Sequence, residues 1–210
     1  MTKVKICGIT NKEDAVMVAK SGADFIGIIN VRDSPRYVNL ETVREIFNEV
    51  PDFTYKVIVS TPRNIDAIRE IERINPDYIQ LHGDETIDFV RKIKEEIKTG
   101  IIKKISVDKN AIEKAREFSG IVDAILLDTK MKGMVGGTGK THNWNISRKI
   151  VELVEKPVIL AGGLNPENVG EAIEQVKPYA VDVSSGVESM TGKKDMKRVE
   201  DFIMNAKELK

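Results

Sequence analysis

Eight short runs rich in β-branched and aromatic residues recur along this chain of 210 residues, and their spacing constrains the fold more than any other feature. They are KVKIC near residue 4, FIGII near 25, YKVIV near 55, YIQLH near 78, IKKISV near 102, AILLD near 124, VILA near 158 and VDVSS near 181. Most are apolar throughout rather than alternating, the pattern of strands buried on both faces in a parallel sheet. Segments with helical spacing separate them. Thr10 to Glu13 reads as a capping box before DAVMVAKSG, with Gly22 as the stop. Asn165 and Pro166 read as a cap and a first-turn proline for ENVGEAIEQV, and Pro178 falls just beyond its end. Strand and helix alternate throughout, which predicts an α/β fold with helices covering a parallel sheet. Eight repeats favour closure into a (βα)8 TIM barrel, compact against the roughly 250 residues usual for that fold. An open doubly wound sheet is the competing arrangement, but its G-x-G-x-x-G fingerprint is absent after the first strand. No linker rich in Pro, Gly or Ser interrupts the pattern, so residues 1–210 are expected to form a single catalytic domain.

Composition narrows the partners. Apolar residues make up 41% of the chain, enough for a substantial core. Lysine plus arginine number 33 and aspartate plus glutamate also number 33, so no overall charge draws the protein to nucleic acid or anionic lipid. A single cysteine forbids an internal disulfide, and the first residues lack the basic start and apolar core of a secretory signal; a cytoplasmic setting is expected. No apolar run approaches the roughly 18 residues of a membrane-spanning helix.

In a barrel of this kind, the loops that follow the strands gather at one face, where such folds place their chemistry. Cys7 follows the first run, NVRDSPRYV the second, His82 and Gly83 the fourth, Asp128 the sixth, Gly162 and Gly163 the seventh, and Ser184, Ser185 and Gly186 the eighth. Strand side chains alternate, so Lys3, Lys5 and Cys7 share one face and Val4 and Ile6 the other. With the apolar pair against the helices, Cys7 stands at the barrel mouth above Lys5. A lone cysteine is more often a small buried hydrophobe. Here Lys5 offers a positive field that would favour the thiolate, the reactive form. The same alternation puts Ala124, Leu126 and Asp128 on one face, with the carboxylate at the rim across from Cys7. One acid and one base so placed suit proton transfers beside a masked carbonyl, as in an aldose to ketose isomerisation, with no metal required. Closure of the ring between the eighth and first strands would also make Lys5 and Asp182 neighbours inside it.

LAGGLNPENV and VSSGVE put glycine turns after the seventh and eighth strands, the usual phosphate seat of such barrels. Glycine lets backbone N–H groups approach an anion, and a helix N-terminus adds its dipole. GMVGGTGKTHNW imitates a P-loop, but the pattern ending in Gly139-Lys140-Thr141 needs glycine at 134, where the chain has Met134. Residues 130–143 read instead as a loop over the mouth, able to close on a ligand. Arg36, in SPRY, has a planar fork that suits a substrate carboxylate. His82 and His142 are the only histidines and form no metal-ligand cluster with cysteine; a rim hydrogen bond, or a substrate contact, is the expectation for His82.

Taken in order, KICGIT, GAD with GI, SPRYV, QLHGDE, LLD, GGTGKT with Trp144, LAGGLNPENV, and DVSSGVE followed by GKKD resemble the phosphoribosylanthranilate isomerases of tryptophan biosynthesis, nearly end to end. The resemblance implies a (βα)8 barrel that converts N-(5-phosphoribosyl)anthranilate to 1-(2-carboxyphenylamino)-1-deoxyribulose 5-phosphate by an Amadori rearrangement without a cofactor. It implies Cys7 as general base and Asp128 as general acid. Arg36 would hold the anthranilate carboxylate, and His82 would line the substrate site. Gly162, Gly163, Ser184, Ser185 and Gly186 would surround the phosphate. Another sugar-phosphate isomerase or synthase of the barrel type, for example one acting on an aminoimidazole ribotide, is the nearest alternative; an ATP-dependent P-loop protein is a more distant one. Both a monomer and a homodimer fit.

Overall fold

The structure, a computed structural model, describes residues 1–129 and 141–208. Eight parallel strands close into a barrel: β1 Lys3–Cys7, β2 Phe25–Asn30, β3 Tyr55–Ser60, β4 Tyr78–Leu81, β5 Gly100–Val107, β6 Ala124–Thr129, β7 Val158–Leu160 and β8 Ala180–Val183. β8 pairs with β1 to shut the ring. Eight helices surround it: α1 Lys12–Lys20, α2 Leu40–Glu49, α3 Ile65–Glu72, α4 Ile87–Glu96, α5 Ala111–Ser119, α6 Trp144–Leu153, α7 Val169–Val176 and α8 Met196–Lys207. The eight runs read from the sequence are these strands, and the fold is the (βα)8 TIM barrel. Between β8 and α8 the chain adds a 3-10 turn, Ser185–Val187, and a small antiparallel hairpin of β9 Glu188–Met190 and β10 Lys193–Lys194, which the sequence reading did not anticipate.

Side-chain alternation divides the apolar residues into two bodies. Val4, Ile6, Ile26, Ile28, Ile58, Ile79, Leu81, Ile125 and Leu127 face outward and pack with helix residues such as Val18, Ile46, Ile68, Ile93 and Phe202. Inside the ring a smaller cluster holds Phe25, Val57, Ile102, Ala124, Leu126, Ile159, Ala161 and Ala180, with Tyr78 against it. Near the strand N-termini, Phe25 stacks on Tyr55 at 5.0 Å between ring centroids, Tyr78 meets both edge-on, and Lys3 lies over the Phe25, Tyr55 and Tyr179 rings. That end of the barrel is plugged by aromatic surface. The other end is polar.

Helix starts are set by short polar side chains that accept otherwise orphaned N–H groups: Asn39 from Thr42, Asn64 from Ala67, Thr86 from Phe89 and Asp195 from Arg198. Two expected caps are displaced. α1 is capped by Asn11, whose Oδ1 accepts from Asp14 N at 2.8 Å, while the Thr10 hydroxyl donates to the Gly192 carbonyl at 2.6 Å. Thr10 is drawn away from the helix by the hairpin, a long-range partner that local spacing cannot reveal. Gly22 does end this segment, in the left-handed region at φ 97°. Asn165 accepts from Glu167 N and Asn168 N, so it fixes a turn, and α7 begins only at Val169. Pro166 therefore lies in that turn. Lys177, in the left-handed conformation, closes α7 just before Pro178.

Candidate active site

Cys7 ends β1 with its side chain inside the ring, 5% exposed. Its register partner on β2 is Gly27, and a Cβ built there would come within 2.8 Å of Sγ and 3.1 Å of Lys5 Nζ. Only glycine leaves room for the thiol at that level of the barrel. Lys5, one layer below, is fully buried and donates to Asp182 Oδ1 at 2.8 Å, across the β1–β8 seam where the two residues are in register. The neighbours expected from ring closure are therefore bonded. Burial works against the ammonium, but the Asp182 carboxylate and the Cys7 sulfur outweigh it and hold the Lys5 pKa above its ordinary value.

Lys5 does favour the Cys7 thiolate, as expected, but it is not the largest influence on the thiol. Burial pushes Cys7 up, and although the Lys5 and Lys194 ammonium groups pull it down, Asp182 adds to the rise and the net direction is upward. Lys5 is the strongest of the influences that lower the thiol, but its burial outweighs them. Asp128, at the end of β6, is reached from β1 through β8 and β7. Burial raises its carboxyl as well, against the opposing hydrogen bond from Thr129 N to Oδ1 at 2.8 Å, and the Asp182 charge adds to the rise. A raised carboxyl suits an acid that must hold its proton toward neutral pH.

His82 follows β4, with Nε2 3.8 Å from Asp128 Oδ2. Burial, with the charges of Lys104, Lys5 and Lys103, pushes its pKa down to about 3, so the ring is neutral and this contact is no ion pair. Gln80 Nε2 donates to His82 Nδ1 at 3.0 Å, which leaves the ring proton on Nε2, facing the carboxylate. Behind the same loop, Lys103 reaches outward to the Gly83 carbonyl and to Glu85 at 2.7 Å.

The glycine turns after β7 and β8 meet each other and the end of β6. Gly162 sits at φ 87°, and a Cβ there would collide with Thr129 and come within 2.9 Å of Asp128 Oδ1. Gly163 also has positive φ, at 72°. A Cβ on Gly186 would strike the Leu164 carbonyl oxygen. Among the described residues, the N–H groups of Gly162, Gly163, Ser185 and Gly186 find no backbone acceptor, and the buried Ser184 hydroxyl has no partner. Unsatisfied donors clustered beside a carboxyl acid form a seat for an anion.

Arg36 is 7% exposed, and its Nε and Nη2 donate to Glu188 Oε1 and Oε2 at 2.7 and 2.6 Å. Lys194 Nζ donates to Glu188 Oε1 at 3.0 Å and to the Ser184 carbonyl at 3.1 Å. The structure thus brings Cys7, Asp128, His82, Arg36 and the glycine turns to one end of the barrel. Sequence reasoning missed Glu188 and Lys194, on the hairpin, and Gln80 and Lys104, on the inner faces of β4 and β5. The alternation used for β1 and β6 would have found the last two. The loop read over 130–143 falls mostly on 130–140, outside the described residues. Just after it, His142 shares hydrogen bonds with Ser147 at 2.6 Å and Thr129 at 3.3 Å, and burial pushes its pKa down to about 4.

The chain is similar to known proteins over nearly its whole length. The family model for N-(5'-phosphoribosyl)anthranilate (PRA) isomerase matches residues 4–205. The chain is 50% identical to the N-(5'-phosphoribosyl)anthranilate isomerase of Aquifex aeolicus over 212 residues, covering 99% of each protein, and 50% identical to that of Methanocella arvoryzae, covering 97% of each. The crystal structure of phosphoribosyl anthranilate isomerase from Thermotoga maritima superposes with a TM-score of 0.91 at 42% identity over 100% of both chains. A crystal structure of such an isomerase in complex with reduced 1-(o-carboxyphenylamino)-1-deoxyribulose 5-phosphate superposes at 0.87, with 39% identity and full coverage of both. No helix among the described residues is long and apolar enough to cross a membrane. With the barrel, the polar mouth and this likeness in hand, the chain belongs to the N-(5'-phosphoribosyl)anthranilate isomerase family and is an isomerase of tryptophan biosynthesis.

Proposed function

We propose that this protein, acting in the cytoplasm as one catalytic domain, rearranges N-(5-phosphoribosyl)anthranilate to 1-(2-carboxyphenylamino)-1-deoxyribulose 5-phosphate, with Asp128 as general acid and Cys7 as general base. The observation that carries the reading is the pairing of a partly buried, raised carboxyl and a buried thiol at the mouth of one barrel, beside backbone donors without a backbone acceptor.

Phosphate binds the N–H groups around Gly162, Gly163, Ser185 and Gly186, and the Ser184 hydroxyl turns toward the ligand. Asp128 donates its proton to the ribose ring oxygen. The C1–O bond breaks, and the anilino nitrogen lone pair forms the Schiff base, now protonated. Cys7 thiolate removes the proton from C2, and that electron pair makes the C1–C2 double bond of an enolamine. The Cys7 thiol returns its proton at C1, the C2 hydroxyl proton passes to the Asp128 carboxylate, and the ketone forms with both groups back in their starting states. His82, neutral and carrying its proton on Nε2, steadies the Asp128 carboxylate once it has given up its proton. Arg36 holds the anthranilate carboxylate. Asp128 and Cys7 can carry every proton transfer, so chelating agents should leave the rate unchanged; a rate lost to a chelator and restored by added divalent metal would contradict this.

The test is formation of the rearranged product from N-(5-phosphoribosyl)anthranilate by the purified protein and by Cys7→Ser and Asp128→Asn. Each variant should lose about 10²–10⁴-fold in kcat, the range of a lost general acid or base, with its melting temperature little changed. Full activity in either variant would remove that residue from the mechanism.

A further inference from the structure

We infer that Glu188, braced by Lys194, is a positioning residue for Arg36, and that the β9–β10 hairpin thereby sets the enzyme's preference for a substrate whose aromatic ring carries a carboxylate. The inference rests on the isomerase reading above. A free arginine at a rim has a mobile fork, and a mobile fork recognises a planar anion poorly. Arg36 is not free. Glu188 takes its Nε and Nη2 edge through two short bonds, the side-on edge of the guanidinium. The end-on edge remains: among the described residues Nη1 has no hydrogen-bond partner.

Placement and charge both fit a visiting carboxylate. Arg36 Cδ lies where a Cβ on Gly8 would come within 2.7 Å, so the side chain crosses the end of β1 directly after Cys7. The three buried groups Arg36, Glu188 and Lys194 carry two positive charges and one negative. One positive charge is left over among the three, and the end-on edge of the arginine is the part of it that Glu188 does not take. Lys194 has a second role in this arrangement. Its ammonium is fully buried and bonded to Glu188 Oε1 and to the Ser184 carbonyl, so it pins the carboxylate to the loop after β8. Its backbone N–H is held in turn by Asp14 Oδ2 at 2.8 Å, which ties the hairpin to α1. Glu188 is kept ionised by the same partners: burial alone would raise it, but Arg36 and Lys194 hold it below the ordinary carboxylate range. A glutamate that served only as a salt-bridge partner would need no second cation behind it.

Two substrates separate this role from a structural one: N-(5-phosphoribosyl)anthranilate, and N-(5-phosphoribosyl)aniline, which lacks the carboxylate. Steady-state constants are measured on both for the wild type, Glu188→Gln, Arg36→Gln and the double variant. In Glu188→Gln, KM for the carboxylated substrate should rise about tenfold, the loss of one charge-assisted contact, with kcat nearly held. The ratio of kcat/KM between the two substrates should fall by the same factor. In the Arg36→Gln background the Glu188 change should add nothing, because it acts only through the arginine. Equal losses on both substrates, additive losses in the double variant, or an unaltered ratio in a folded Glu188→Gln protein would each overturn the inference. If Glu188→Gln does not fold, Glu188→Asp keeps the charge and draws it back by one methylene; an intermediate ratio supports the role and a wild-type ratio overturns it. Wild-type protein that converts neither substrate would instead overturn the reading beneath it.

Discussion

The two faces of the barrel wall make opposite uses of the same strands. On the outer face, Val4, Ile6, Ile26, Ile28 and Leu127 pack in one apolar cluster with the helices. On the inner face, one residue along in each strand, stand Lys5, Cys7, Gly27 and Asp128, and only the lower layers are apolar. The outer face holds the fold together by area removed from water, about 25 cal/mol per Å². The upper inner face costs stability instead: it buries charges whose desolvation their partners must offset, and it holds a buried thiol and a partly buried carboxyl whose pKa values both rise. A fold can carry such a site because its stability is supplied elsewhere. Substitutions on the two faces should therefore separate activity from stability, and the expected effects run from the catalytic pair down to the shell.

The largest effect concerns the ionic form of the catalytic pair. The thiol is raised from an already alkaline value and the carboxyl from an acidic one, so the productive form, thiolate with protonated carboxyl, requires each group to be on the less populated side of its titration between the two pKa values. Activity should then follow a bell, flat between an acid limb set by Asp128 and an alkaline limb set by Cys7. Asp128→Asn, about 10²–10⁴-fold slower, should turn the bell into a single rise with pH that levels off above the Cys7 pKa. A variant that kept both limbs would show that another group supplies the acid.

Next comes the buried pair beneath the thiol. Lys5→Met leaves the Asp182 side chain in the ring without its partner and should destabilise the protein by about 3–5 kcal/mol, as removing one member of a buried ion pair does. Replacing both, Lys5→Met with Asp182→Leu, should recover much of that stability in thermal melts while leaving the rate well below wild type, because Cys7 has lost the cation nearest its sulfur. Recovery of activity along with stability would make the pair purely architectural. Smaller again is Gly27→Ala, whose methyl would enter the space of Cys7 Sγ. Displacing the sulfur by a fraction of an ångström should lower kcat on the order of 10-fold to 10²-fold, with a far smaller change in melting temperature.

Much of this contrast was legible in the sequence, for a physical reason. Period-two alternation assigned Cys7, Lys5, Asp128 and Asp182 to the inner face, and ring closure alone made Lys5 and Asp182 neighbours, because in a closed sheet the first and last strands must pair. What escaped depended on contacts outside strand periodicity. Thr10 fits a capping box by spacing, yet it bonds to Gly192, far along the chain, and Asn11 takes the cap. Asn165 precedes a proline as a cap would, but its side chain closes a turn instead. The Lys5 field on Cys7 was legible from alternation and does lower the thiol, but the depth of burial that outweighs it depends on the whole packed ring and not on one strand's spacing. Glu188 and Lys194 lie on a hairpin of five residues in total strand length, too short for a periodic signal, and only their partner Arg36 gives them meaning.

The smallest expected effect belongs to the outer wall and tests the other half of the contrast. Ile6 is flanked in sequence by Lys5 and Cys7, adjacent to the chemistry along the chain, yet it is wholly buried in the outer cluster. Ile6→Val removes one methylene-sized group from that packing and should destabilise by about 0.5–1.5 kcal/mol. Measured well below the melting transition, its kcat and KM should match wild type, because the strand ladders to β2 and β8 hold the backbone on both sides of residue 6 and a missing methyl on the far face gives Cys7 no reason to move. A drop in kcat at low temperature with a normal melting curve would mean that shell packing reaches the thiol through the backbone, and the two faces of the wall would no longer be separable.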